Sequence, residues 1–120
     1  MSDLSNIKLA DHAECKATPK DAIPLTDYEI GQLQRQIADW VVLDLNGIPQ
    51  LEMTFKFANF IAAMAFANRI TEIAEANDHH PALLIEYGSV KVSWWSHSIR
   101  GLHLNDFVLA AKTDKAYISE

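Results

Sequence analysis

Leu51-Glu52-Met53-Thr54-Phe55-Lys56-Phe57 alternates apolar and polar side chains at every step. Successive side chains of a strand point to opposite faces, so this stretch reads as a strand with one buried and one polar face. Immediately beyond it the period changes. From about Ala58 to Ala76, Phe60, Met64, Ala67, Ile70 and Ala74 fall on one broad helical stripe, with Ile61 and Ile73 beside it. Pro81 disfavours helical geometry at His80, so this helix is expected to stop near Asn77.

Upstream, Trp40 to Leu45 reads as a strand that turns at Asn46-Gly47, although Pro49 argues against a tight two-residue hairpin. Before it, Thr26-Asp27-Tyr28-Glu29 has capping-box form, and Ile30, Leu33 and Ile37 then give one apolar helical face. Downstream, Leu83 to Tyr87 and Val90 to Trp95 make two strands joined at Gly88-Ser89. Leu104, Phe107, Val108 and Ala111 mark a last helix reaching about Tyr117. Strands joined by short turns argue for an antiparallel sheet, and one-sided helices must pack on it. The expected fold class is α+β, a two-layer sandwich of a four-stranded antiparallel sheet with three helices on one face, in the order α-β-β-α-β-β-α. Residues 1–24 lack periodicity, contain Pro19 and Pro24, and read as a loosely ordered N-terminal extension before a single domain over 25–120. His12 and Cys15 are spaced as metal ligands, but two ligands do not make a site.

Ten basic residues face sixteen acidic ones, a formal charge of -6, and no stretch concentrates Lys and Arg. Phosphate neutralisation needs such clusters, so direct nucleic-acid contact and binding to an anionic membrane are disfavoured. The single cysteine, Cys15, makes no internal disulfide. The longest apolar run, Phe60 to Ala67, is far short of the about 20 residues a bilayer span requires. With no secretion signal at the N-terminus, the expected location is the cytoplasm.

Four of the five histidines lie between positions 79 and 103. In an antiparallel hairpin the start of one strand lies near the end of its partner. The segment before Leu83 and the segment after Trp95 are therefore expected to meet, bringing His79 and His80 near His97. Imidazole, with an ordinary pKa of about 6.5, both gives and takes protons near neutrality. A cluster of imidazoles suits a reaction that needs one proton delivered and another removed. A histidine at a helix end is also an ordinary cap or surface group, and from periodicity alone both readings stand. No phosphate loop, G-x-S-x-G elbow or H-E-x-x-H helix occurs. Trp94 and Trp95 face opposite sides of their strand, one into the core and the other free to stack on a flat heterocycle.

Glu75-Ala76-Asn77-Asp78-His79-His80-Pro81, then Tyr87, Val90-Lys91-Val92-Ser93, Ser96-His97, Gly101-Leu102 and Asp106 resembles the pterin-4a-carbinolamine dehydratase family. The resemblance runs from about Trp40 to about Ala111, and Trp94-Trp95-Ser96-His97-Ser98 is similar to bacterial members. It implies the same sheet-and-helix fold. It also implies loss of water from a 4a-hydroxytetrahydropterin to give the quinonoid dihydropterin, a step that recycles the cofactor of aromatic amino-acid hydroxylases. By that resemblance His79 and His97 are the acid–base pair, and His80 serves catalysis chiefly by binding substrate. Glu75 and Asp106 match the acidic residues that border the site and are expected to bind substrate, one or the other also holding a histidine's orientation; Asp78, Ser96 and Trp95 are further expected substrate contacts. No metal or organic cofactor is implied. Family members form homodimers or homotetramers. Animal relatives also act as dimerisation cofactors for a homeodomain transcription factor, which makes a non-enzymatic partner protein the rival reading. A zinc site of His79, His97 and His103 ranks below both. His103 stands where the family usually carries Ser or Thr before the last helix; its hydroxyl cap is then missing, and the imidazole is expected to face solvent.

Overall fold

The computed structural model describes residues 4–11 and 17–118. Its elements are α1 (Asp27–Gln34), β1 (Val41–Leu45), β2 (Ile48–Lys56), α2 (Phe60–Asn77), β3 (Ala82–Glu86), β4 (Ser89–Trp94) and α3 (Leu104–Ile118). Short 3-10 turns cover Leu9–Asp11, Arg35–Ile37 and His97–Ile99. The four strands form one antiparallel sheet in the order β1-β2-β4-β3. This is the expected α+β two-layer sandwich.

The local signals act as their chemistry dictates. Thr26 Oγ1 accepts from the Glu29 N–H (3.2 Å) and Glu29 Oε1 from the Thr26 N–H (2.9 Å), so the capping box opens α1. The β1–β2 connection is the tight two-residue turn that Pro49 argued against. Leu45 pairs with Ile48, and Asn46 and Gly47 both take positive φ (56° and 82°), as a hairpin turn matching strand twist requires. Pro49 is tolerated because β2 pairs with β4 only from Leu51 onward, leaving one side of the strand free at Pro49.

Leu51 and Phe55 of β2 and Val90, Val92 and Trp94 of β4 point to the helix side, where they meet Phe66 and Ile70 of α2, Phe107 of α3, and Leu33, Ile37 and Trp40. Tyr117 closes one end against Phe55, Phe57 and Phe66. The other face of the sheet is open: Val41, Leu43, Leu45 and Leu84 are exposed there, and Lys91 reaches Glu52 at 3.2 Å. No helix among the described residues is long and apolar enough to cross a membrane.

Two further expectations change. The buried stripe of α2 is Ala63, Phe66, Ala67, Ile70 and Ala74, while Phe60 is 46% and Ile61 82% exposed. The run from Phe60 to Ala67 has no polar residue to fix its phase, so the periodicity is ambiguous where it starts. The described part of the N-terminal segment is also packed rather than loose. Leu9 is 1% exposed and its N–H bonds Gln36 Oε1 (2.9 Å), while the Leu4 N–H bonds Gln32 Oε1 (2.9 Å). Such contacts come from scattered residues and leave no period in the sequence. His12 and Cys15 lie outside the described residues.

The phase of α2 is open to a direct comparison by chemical denaturation. Phe66→Ala is expected to cost about 3–5 kcal/mol, and Phe60→Ala to stay within about 0.5 kcal/mol of the parent. Equal losses would mean the stripe is misassigned.

Candidate active site

α2 is closed by Asp78, which takes the left-handed conformation (φ 47°), its N–H reaching the Ala74 and Glu75 carbonyls. The His79 N–H also bonds the Ala74 carbonyl (3.1 Å). Asp is among the residues that tolerate this geometry at a helix end. The turn parts the two adjacent imidazoles: the His79 side chain is 6% exposed and that of His80 56%. Pairing of Ala82 with Ser93 then lays the segment 79–81 beside the end of β4, the convergence expected from hairpin topology.

His79 stacks on Trp94, with ring centroids 5.9 Å apart and planes 16° from parallel. Trp94 is itself held by its indole N–H donating to Thr113 Oγ1 (3.1 Å). His79 Nε2 lies 2.7 Å from Asp106 Oδ1. The other carboxylate oxygen accepts from Ser96 Oγ (2.8 Å) and from the His103 backbone N–H (3.0 Å). A carboxylate only accepts, so Nε2 carries the proton of this bond and Nδ1 is left to gain or lose one. No buried side-chain polar atom among the described residues lacks a partner.

His97 sits on a short loop closed by a bridge between Ser96 and Gly101, with Arg100 in the left-handed region (φ 51°). Its ring lies 4.4 Å from Trp95, tilted by 32°. His79, His80 and His97 line one cavity of about 270 Å³, together with Asp78, Ser98, Ala17 and Thr18. That volume lies just below the usual range of small-molecule clefts, roughly 300–1,000 Å³. A larger hollow of about 430 Å³ lies between α2 and α3, lined by Glu72, Lys112 and Lys115 among others, but contains no imidazole. The imidazoles therefore gather at the smaller one.

The remaining expected site residues divide. Glu75 is on the surface, 2.6 Å from His80 Nε2. Trp95 is partly buried beside His97. Ser96 and Asp106 have no exposed surface, stand behind His79 and are not among the residues that line the cavity. No three His, Cys, Asp or Glu side chains among the described residues converge as a metal-ligand set. Sequence reasoning missed Thr18, which lies in a stretch without periodicity.

The match to the family model described as pterin 4 alpha carbinolamine dehydratase spans residues 23–116. The chain belongs to the pterin 4 alpha carbinolamine dehydratase family. A crystal structure of a transcriptional coactivator/pterin dehydratase from Brucella melitensis is similar at a TM-score of 0.71 and 28% identity, covering 79% of this chain and 99% of that one. A pterin dehydratase-like protein characterised as a RuBisCO assembly factor in the alpha-carboxysome shares the fold at a TM-score of 0.56 and 18% identity, covering 66% and 89% of the two chains.

In this family member His103 caps α3 rather than facing solvent. Its Nδ1 accepts from the Asn105 N–H (3.1 Å), while Asp106 reaches back to the His103 N–H, a capping box with an imidazole in place of a hydroxyl. Burial lowers the His103 pKa from its ordinary 6.5; Asp106 opposes the shift and His79 adds to it. Protonation would also put a hydrogen on the nitrogen that must accept. The folded protein thus resists a proton that the unfolded chain takes readily. The stability this contributes is complete above pH 6.5 and is lost as the pH falls from there through the folded value. In His103→Ser, thermal unfolding midpoints followed from pH about 8 to about 5 should fall less steeply than in the parent, the curves diverging below about pH 6.5. Parallel curves would remove His103 from this role.

Proposed function

We propose that the chain dehydrates a 4a-hydroxytetrahydropterin to the quinonoid dihydropterin by histidine acid–base catalysis. The observation that carries this reading is one cavity lined by three imidazoles, one of them buried and bonded to a buried carboxylate. The reaction breaks the C4a–O bond and the N5–H bond, forms the C4a=N5 double bond and releases water. The N5 lone pair supplies the electronic push, so the protein need only give the departing oxygen a proton and take one from N5. His79, through Nδ1, and His97 are the two proton-transfer groups, and His80 holds the substrate with help in catalysis. Asp106 and Ser96 fix His79. Asp78 contacts the pterin from the cavity rim, Trp95 backs His97, and Glu75 orients His80. The product would feed tetrahydropterin recycling for aromatic amino-acid hydroxylation. Self-association as a homodimer or homotetramer belongs to the same reading, supported by the exposed apolar row Val41, Leu43 and Leu45 on the open sheet face.

The test is dehydration of freshly generated carbinolamine followed by absorbance. Acceleration over the spontaneous rate is expected, falling about 10²–10⁴-fold in His79→Ala and in His97→Ala with the fold retained. A parent protein indistinguishable from background would leave the non-enzymatic partner reading in its place.

Asp78 has two roles that one substitution separates. Glycine adopts its positive φ without strain, so Asp78→Gly should keep the helix end and its unfolding midpoint. Loss of a charged hydrogen bond to substrate should raise KM about tenfold. An unchanged KM would assign Asp78 to the cap alone.

A further inference from the structure

The family match begins at residue 23, yet the cavity wall includes Ala17 and Thr18, which precede it. Thr18 is 7% exposed and its hydroxyl lies 2.8 Å from Ser96 Oγ. The direction of that bond follows from proton counting. Ser96 has one hydroxyl proton and gives it to Asp106 Oδ2, so Ser96 must accept from Thr18. The Thr18 oxygen in turn accepts from Asn105 Nδ2 at 3.2 Å. The result is a single directed chain in which Asn105 donates to Thr18, Thr18 to Ser96 and Ser96 to Asp106. Asp106 also accepts from His79 through its other oxygen.

The segment carrying Thr18 is fastened at both ends to the loop that bears His97. At one end Ser98 Oγ donates to the Thr18 carbonyl (3.1 Å). At the other the Leu25 N–H donates to the Leu102 carbonyl (2.9 Å). Pro24 approaches Gly101 so closely that a Cβ there would lie 3.2 Å from the proline Cβ. A smaller gap than this is rarely tolerated, so the glycine admits the segment.

We propose that Thr18 is a positioning residue of this site: its hydroxyl fixes the Ser96–Asp106 pair that orients His79, and with Ala17 it forms the wall of the pterin cavity contributed by the N-terminal segment. The role as a positioning residue for catalysis rests on the dehydratase reading; the link from Thr18 to His79 does not. Ser96 without an incoming donor is free to rotate, and Asp106 then loses the partner that divides its two oxygens between Ser96 and His79.

Thr18→Val keeps the side-chain volume and deletes the hydroxyl, Thr18→Ser restores it, and Thr18→Ala stands in if the valine variant does not fold. Two readouts are taken on the full chain: the tautomer and titration curve of His79 by ¹⁵N NMR of the imidazoles, and kcat and KM for carbinolamine dehydration. In the valine variant kcat should fall about five- to tenfold, the scale of one hydrogen bond lost from a buried network. The proton on His79 Nε2 should become less exclusive and the titration midpoint should move. Serine should return both readouts to the parent values. A valine variant that lowers only thermal stability, with kcat and the His79 spectrum unchanged, overturns the proposal. If the parent shows no dehydration while Thr18→Val still perturbs the His79 titration, the dehydratase reading fails and the positioning link survives.

Discussion

The carboxylate of Asp106 is wholly inside the protein, with both oxygens occupied. An ionised carboxylate moved out of water costs several kcal/mol unless donors replace its hydration. Here three donors do so, and each comes from a different part of the fold: the ring that follows α2, the hydroxyl that follows β4 and the backbone N–H that opens α3. The ends of two helices and a central strand are held at one point by the group that orients the buried imidazole. Scaffold and site share this anchor. A change that loosens one loosens the other.

Strand pairing does the rest. With β2 and β4 in the middle of the sheet, the β3–β4 hairpin puts the exit of α2 next to the exit of β4. Two stretches far apart along the chain reach one rim without a long connection. The adjacent histidines at 79 and 80 are separated by the left-handed turn at Asp78, which directs one inward and one outward. Adjacent identical residues thereby receive different environments.

Much of this was legible in the residues. The alternation over 51–57, the capping box at Thr26 and the proline after His80 each gave an element or a boundary, because each acts through nearby backbone. The meeting of His79, His80 and His97 followed from hairpin geometry. The phase of α2 did not, since a run of small and large apolar residues offers no polar marker. Nor did the inward position of Ser96, the capping nitrogen of His103 or the place of Thr18. Those depend on single hydrogen bonds across the tertiary structure, for which sequence spacing carries no trace.

The contact of His79 with Trp94 has an optical consequence. Protonated imidazole quenches the fluorescence of an indole it touches, whereas the neutral ring does so far less. Trp95 lies against His97 at a closer, tilted approach, and the indole N–H of Trp40 donates to Asp114. Every tryptophan in the chain therefore lies against a different ionisable side chain. The ultraviolet emission of the unlabelled protein should therefore respond to the charge on His79 and His97, and removing Trp94 or Trp95 would separate the two contributions.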